Sequence, residues 1–168
     1  MTKYFSKLLI IFLLVFFLMP NLALAQQAAP VYLTLFYGDG CPHCHKELLF
    51  LAKLEKEFTN LKIRKLEIWY NPENANLMGK IGKDLNLKVS GVPLTVIGNQ
   101  AFTGYLDDAT TGQKIRQLVI DYSKLGCNDL VGETLGEKSG SANLPCPATD
   151  SEKTISLPWF GTIDFNSW

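Results

Sequence analysis

Residues 31–45 read VYLTLFYGDGCPHCH, an apolar run, a glycine break and two cysteines separated by Pro-His. Residues 31–37 are rich in β-branched and aromatic types and alternate only partly, the pattern of a strand buried on both faces. Gly38-Asp39-Gly40 ends that strand. From Pro42 to about Phe58 the pattern turns helical, with Leu48, Leu51, Leu54 and Phe58 forming an apolar stripe and Lys46, Lys53 and Lys56 on the wet side. The cysteines therefore follow a buried strand and open a helix.

Working outward, residues 62–69 (KIRKLEIW) predict a second strand, with Ile63, Leu66 and Ile68 as imperfectly phased inner residues. A helix follows over about Glu73 to Leu85, punctuated by Gly79 and Gly82. Residues 93–97 (PLTVI) and 100–103 (QAFT) predict two strands joined by Gly98-Asn99, a two-residue hairpin signal. A last helix over about Thr111 to Leu125 places Ile115, Leu118, Val119 and Tyr122 on one face, with Gly126 as its stop. The order implies a right-handed parallel β-α-β unit followed by a β-hairpin and a covering helix. Residues 132–150, rich in Gly, Ser, Glu and Pro, read as a mobile loop.

The chain has 168 residues. The first 25 have the form of a secretory signal: Lys3 and Lys7, an apolar run over 8–19, Pro20, and Ala23-Leu24-Ala25 before Gln26. An uncleaved N-terminal membrane anchor is the alternative, although a run of 12 is short for a bilayer span. Residues 26–168 carry 14 basic against 16 acidic side chains, too near neutral to suggest nucleic acid as a partner. The expected location is the periplasm or the extracellular space. All four cysteines fall in the exported part, where disulfides persist. Adjacency favours Cys41 with Cys44, which leaves Cys127 with Cys146.

A C-x-x-C spacing serves a redox disulfide, half a zinc site or a haem anchor. At a helix N-terminus the free N–H groups and the helix dipole stabilise a thiolate below its ordinary pKa of about 8.5. Cys41, at the first turn, would be the attacking or attacked sulfur, and Cys44, deeper by one turn, would resolve the mixed disulfide. His43 between them would favour the Cys41 thiolate, which points to the oxidising end of the redox range. His45 reads as solvated.

CPHC at 41–44 after VYLTLFY, with SGVP at 90–93 ahead of a strand, hairpin and helix, resembles the thioredoxin superfamily, and the tetrad is similar to that of DsbA-type oxidoreductases. The match covers about residues 31–125, without room for the large helical insertion of DsbA proper, and is closer to a minimal glutaredoxin-like domain. The resemblance implies an α/β, thioredoxin-like fold: a four-stranded mixed sheet flanked by helices over residues 26–126, with a C-terminal extension over 127–168. It implies a cis peptide at Val92-Pro93, with Val92 and Pro93 holding an extended substrate. It implies protein thiols and disulfides as substrates, a membrane redox partner for recycling, and no cofactor beyond the cysteine pair. Many family members carry a buried acid six residues before the first cysteine; here that position is Leu35. Glu47 on the first helix reads as a surface glutamate, with the role of substitute proton acceptor as its alternative. LPWFGTIDF at 157–165 resembles a joint to a membrane-embedded electron-transfer domain in some bacterial fusion proteins, or else a strand or clip packed on the domain.

Other readings stay open at this point. The direction of exchange is one, since an electron-relay reductase serving a membrane thiol-redox or cytochrome c maturation partner would use the same residues. A c-type cytochrome could use Cys41, Cys44 and His45 with Met78 as second axial ligand. A zinc site needs four ligands, and only Cys127 and Cys146 with a histidine could complete one. A thioredoxin-fold chaperone would grip chains without turnover. Cys127–Cys146 is expected to be structural, with a second redox pair as the alternative.

Overall fold

The computed structural model describes residues 28–137, 145–147, 154–157 and 161–164; the expected signal segment 1–25 lies outside them. The order is β1 (Val31–Tyr37), α1 (Pro42–Glu57), β2 (Leu61–Glu67), α2 (Pro72–Asp84), β3 (Leu94–Ile97), β4 (Gln100–Thr103), α3 (Thr111–Leu125), α4 (Leu130–Thr134), β5 (Thr154–Leu157) and β6 (Gly161–Asp164). The first four strands form one sheet in the order β2-β1-β3-β4. β1 and β2 are parallel, while β3 runs antiparallel to both β1 and β4. This is the mixed four-stranded sheet that the resemblance implies. β5 and β6 pair with each other.

β1 is central and covered on both faces, which is why it reads as a continuous apolar run. Leu33 and Leu35 face α1 and α3 in a cluster with Phe50, Leu51, Leu54, Ile115, Val119 and Tyr122. Phe36, on the other face, meets Ile81 of α2 and Val131 of α4, with Leu94 and Val96 of β3. The imperfect phase of β2 has the same cause: Ile63 packs into the first cluster, Leu66 and Ile68 into the second. The strand is covered on both sides, so a single alternating inner face does not exist.

Two expectations are corrected. The stretch read as a mobile loop from residue 132 begins inside α4, where Val131 is 1% exposed. Asp129 caps α4 by accepting the Gly132 N–H, and the Arg64 guanidinium of β2 grips the same carboxylate through both nitrogens, at 3.0 and 2.6 Å. This buried clamp ties residues 127–137 to the sheet; a five-residue apolar signal next to glycines is too short to read as a helix. The stripe of α1 is also rotated from its expected centre: Cys44, Glu47, Phe50, Leu51 and Leu54 are buried, and Leu48 is only half-buried.

Cys127 and Cys146 are bonded, with Cα atoms 4.2 Å apart. Both sulfurs lie against Gly98 in the β3–β4 turn, where a side chain would collide with them and with the Tyr122 ring. Gly98 also has φ +57°, so the turn needs glycine twice over.

Candidate active site

β1 ends at Tyr37 and hands the chain through Gly38–Gly40 to Cys41. Gly40 has φ +78°, the left-handed conformation that lets the chain turn back into α1. Cys41 is the N-cap of α1, its N–H held by the Gly38 carbonyl at 3.1 Å. Its Sγ accepts the backbone N–H of Cys44 at 3.2 Å, filling the place a serine or aspartate oxygen takes in an ordinary cap. Pro42 occupies the first helical position, where a missing N–H costs nothing. Cys41 and Cys44 form a disulfide, with Cα atoms 5.2 Å apart. Cys44 is 1% exposed and Cys41 8%, so the sulfur nearer the surface is the capping one.

Two grooves flank the pair. One, of about 520 Å³, runs past Tyr37, Gly38, Cys41 and Leu48. Beside it the Trp69 ring packs on the Gly38 backbone, and Trp69 and Tyr70 are both exposed. Glu67 sets this loop by accepting the N–H groups of Trp69 and Tyr70 at 2.7 and 2.9 Å. Those hydrogen bonds hold its carboxyl below the ordinary range against the opposing effect of burial, the largest single influence on it. The second groove, of about 340 Å³, is lined by His43, Val92, Pro93, Thr103 and Tyr105, among others. The Val92-Pro93 peptide is cis, as the resemblance implies, and Pro93 is anchored by its carbonyl accepting the Gly104 N–H at 2.7 Å.

The geometry thus brings His43, Val92 and Pro93 to one groove and both cysteines to the wall of the other. His43 Nδ1 donates to the Tyr105 carbonyl at 3.1 Å; a carbonyl only accepts, so Nδ1 carries the proton. In this oxidised state the ring serves the far wall of the groove through that atom.

Glu47 is 1% exposed, which corrects the surface reading of this residue. It lies one turn beyond Cys44 on the same face of α1. Burial pushes its pKa up to about 7, and the Thr95 hydroxyl, which donates to its Oε1, opposes that rise. Thr95 stands directly opposite Leu35 in the β1–β3 ladder, so both side chains point to the α1 face. The carboxyl absent at Leu35 is thus supplied to the same layer from the helix. Thr95, Tyr105 and Trp69 do not stand out in the sequence. Thr95 has a signal all the same: a hydroxyl inside an otherwise apolar strand needs a partner.

The rival readings of the cysteines are removed by placement. Cys41 and Cys44 are bonded to each other, and Met78 lies on the α2 face of the sheet, across from α1 and the exposed His45. One haem cannot take both as axial ligands. The two disulfides lie at opposite ends of β3, whose four residues span about 10 Å. Four sulfurs therefore do not meet at one zinc in this fold.

No family model matches the chain, and no curated protein matches it. Among solved structures, it is similar to a point mutant of thioredoxin from Halobacterium salinarum, at 22% identity over 58% of this chain and 78% of that one, with a TM-score of 0.44. It is similar to a glutaredoxin from Archaeoglobus fulgidus, at 21% identity over 59% and 94% of the two chains, with a TM-score of 0.38. Thioredoxin f2 from Chlamydomonas reinhardtii gives 26% identity over 55% and 80%, with a TM-score of 0.38. With its β2-β1-β3-β4 mixed sheet, a cis-proline entering β3 and a CXXC disulfide capping its first helix, the chain has a thioredoxin-like fold equipped for thiol–disulfide oxidoreductase chemistry.

Proposed function

We propose that this protein is an exported oxidoreductase that exchanges disulfides with protein substrates through Cys41 and Cys44. The observation that carries the reading is the disulfide set as the N-cap of α1 beside the cis Val92-Pro93 groove. A substrate thiolate attacks Cys41 Sγ, the Cys41–Cys44 bond breaks, and Cys44 leaves as a thiolate that takes up a proton. A second substrate thiolate then attacks the substrate sulfur of the mixed disulfide, and Cys41 leaves as the thiolate stabilised by the helix N-terminus. The reverse sequence reduces a substrate with the same residues.

Glu47 is the proton store for Cys44. A buried carboxyl with a pKa near 7 is divided between its two forms at neutral pH, the condition under which it best gives and takes a proton. His43, through its remaining nitrogen, favours the Cys41 thiolate once the pair is reduced. Val92 and Pro93 hold the partner chain. Cys127–Cys146 is structural, and two disulfides in one small domain support an oxidising compartment and hence export. A membrane redox protein recycles the cysteine pair.

Insulin reduction and the refolding of scrambled ribonuclease test the reading. Activity that disappears in Cys41→Ser is expected; two silent assays with the intact protein would refute it. The reduction potential of Cys41–Cys44 decides the direction. The presence of His43 predicts a value on the oxidising side of about −270 mV, and a value at or below that makes the protein a reductant.

A further inference from the structure

Glu47 and Thr95 form a closed polar pair inside the domain. Each is 1% exposed, and each sits in an element whose other inward residues are apolar. All four residues of β3 are buried, and Thr95 is its one hydroxyl. A valine would fill the same space with the same strand preference and no polar group to satisfy. The hydroxyl has a partner in Glu47 Oε1. That bond joins the two halves of the site: Glu47 stands one turn beyond Cys44, and Thr95 stands two residues beyond Pro93 on the same side of the strand.

On the footing of the exchange mechanism above, we propose that Thr95 is a positioning residue, its hydroxyl holding the Glu47 carboxylate in place to take the proton of Cys44 as the mixed disulfide is resolved. The step balances. Cys44 Sγ–H gives its proton to the Glu47 carboxylate, the Cys44 thiolate attacks Cys41 Sγ, the Cys41–substrate bond breaks, and the substrate sulfur leaves as a thiolate. The two electrons of the new Cys41–Cys44 bond come from the Cys44 thiolate, and the departing sulfur keeps those of the bond that breaks.

The groups around the carboxyl are few. Its own helix presents Cys44; β1 presents Leu33, Leu35 and the Tyr37 phenol on that face; β3 presents Thr95. The β4–α3 loop presents the Tyr105 phenol, which is close enough to feel the Glu47 charge and is itself bound to Asp108 at 2.7 Å. Thr95 is the group that donates to the carboxylate, so its loss favours the protonated form.

The test follows the second release of thionitrobenzoate when the full chain, reduced at Cys41–Cys44, meets Ellman's reagent in a stopped-flow mixer. That phase is Cys44 displacing the reagent from Cys41. In the unsubstituted protein its rate climbs with pH along a limb that Glu47→Gln removes. Thr95→Val moves the limb up by about one pH unit, and Thr95→Ser leaves it in place. Thr95→Ala replaces the valine variant should that one not fold, with the same expectation. A limb unmoved in Thr95→Val, or moved equally in Thr95→Ser, overturns the role of Thr95 while leaving the exchange mechanism intact. A limb that persists in Glu47→Gln removes Glu47 from the mechanism, and Thr95 with it.

Discussion

The Sγ of Cys41 accepts the backbone N–H of Cys44 at 3.2 Å, so one sulfur is at once helix cap and half of a disulfide. When the pair is reduced, that N–H faces a sulfur able to carry charge at the positive end of a 16-residue helix. The two cysteines therefore differ in kind. Cys41→Ser is expected to abolish exchange, whereas Cys44→Ser should still attack and then accumulate as a mixed disulfide. Non-reducing electrophoresis after incubation with an unfolded substrate reads both outcomes. A trapped species in Cys41→Ser and none in Cys44→Ser would invert the roles.

Glu47 makes stability fall with pH. Its pKa is about 7 in the folded chain against the ordinary glutamate value of 4.5 once unfolded, so the folded protein holds the proton more tightly than the unfolded one. The benefit is complete below about pH 4.5 and is lost as pH rises through about 7. The difference amounts to roughly 3 kcal/mol. Denaturant titrations of the oxidised protein should show this decline between pH 5 and pH 7, and Glu47→Gln should flatten it. An equal slope in the variant would place the proton elsewhere.

The Cys127–Cys146 bridge closes a separation of 19 residues at the end of the sheet away from Cys41. Replacing both cysteines by serine is expected to cost about 3 kcal/mol of stability on chain-entropy grounds. The rate of insulin reduction below the melting transition should stay unchanged. A drop in that rate at full folding would assign the second pair a redox role.

Arg64→Ala leaves Asp129, 3% exposed, without its guanidinium partner. An orphaned buried carboxylate of this kind costs about 3 kcal/mol. Exchange should again be preserved, because Arg64 lies on β2 opposite Thr34 in the middle of β1, not at the Cys41 end, and lines neither groove beside the cysteines. Thermal melting and the insulin assay together separate this from an effect on the site.

Much of this architecture can be read in the chain because its signals are local. VYLTLFY, the Pro at the start of α1, the Gly98-Asn99 turn and the Ile115–Tyr122 face each follow from short-range preference. What cannot be read there depends on contacts between distant segments. Glu47 falls in step with Leu51 and Leu54 on the apolar stripe, yet a glutamate there reads as solvated until Thr95, 48 residues on, is seen to bond it. β2 looks out of phase until both of its faces are known to be covered. α4 is invisible because five residues carry no periodicity, and Arg64, 65 residues before Asp129, is what fixes it.

The acidity of Cys41 is the quantity on which the exchange mechanism turns. Iodoacetamide alkylation of Cys44→Ser protein with the Cys127–Cys146 bond kept intact, followed across pH, measures it at a single thiol. The expected midpoint lies well below the free-cysteine value of about 8.5. A midpoint at or above that value would mean the helix mouth does not activate the sulfur, and the exchange mechanism would not stand.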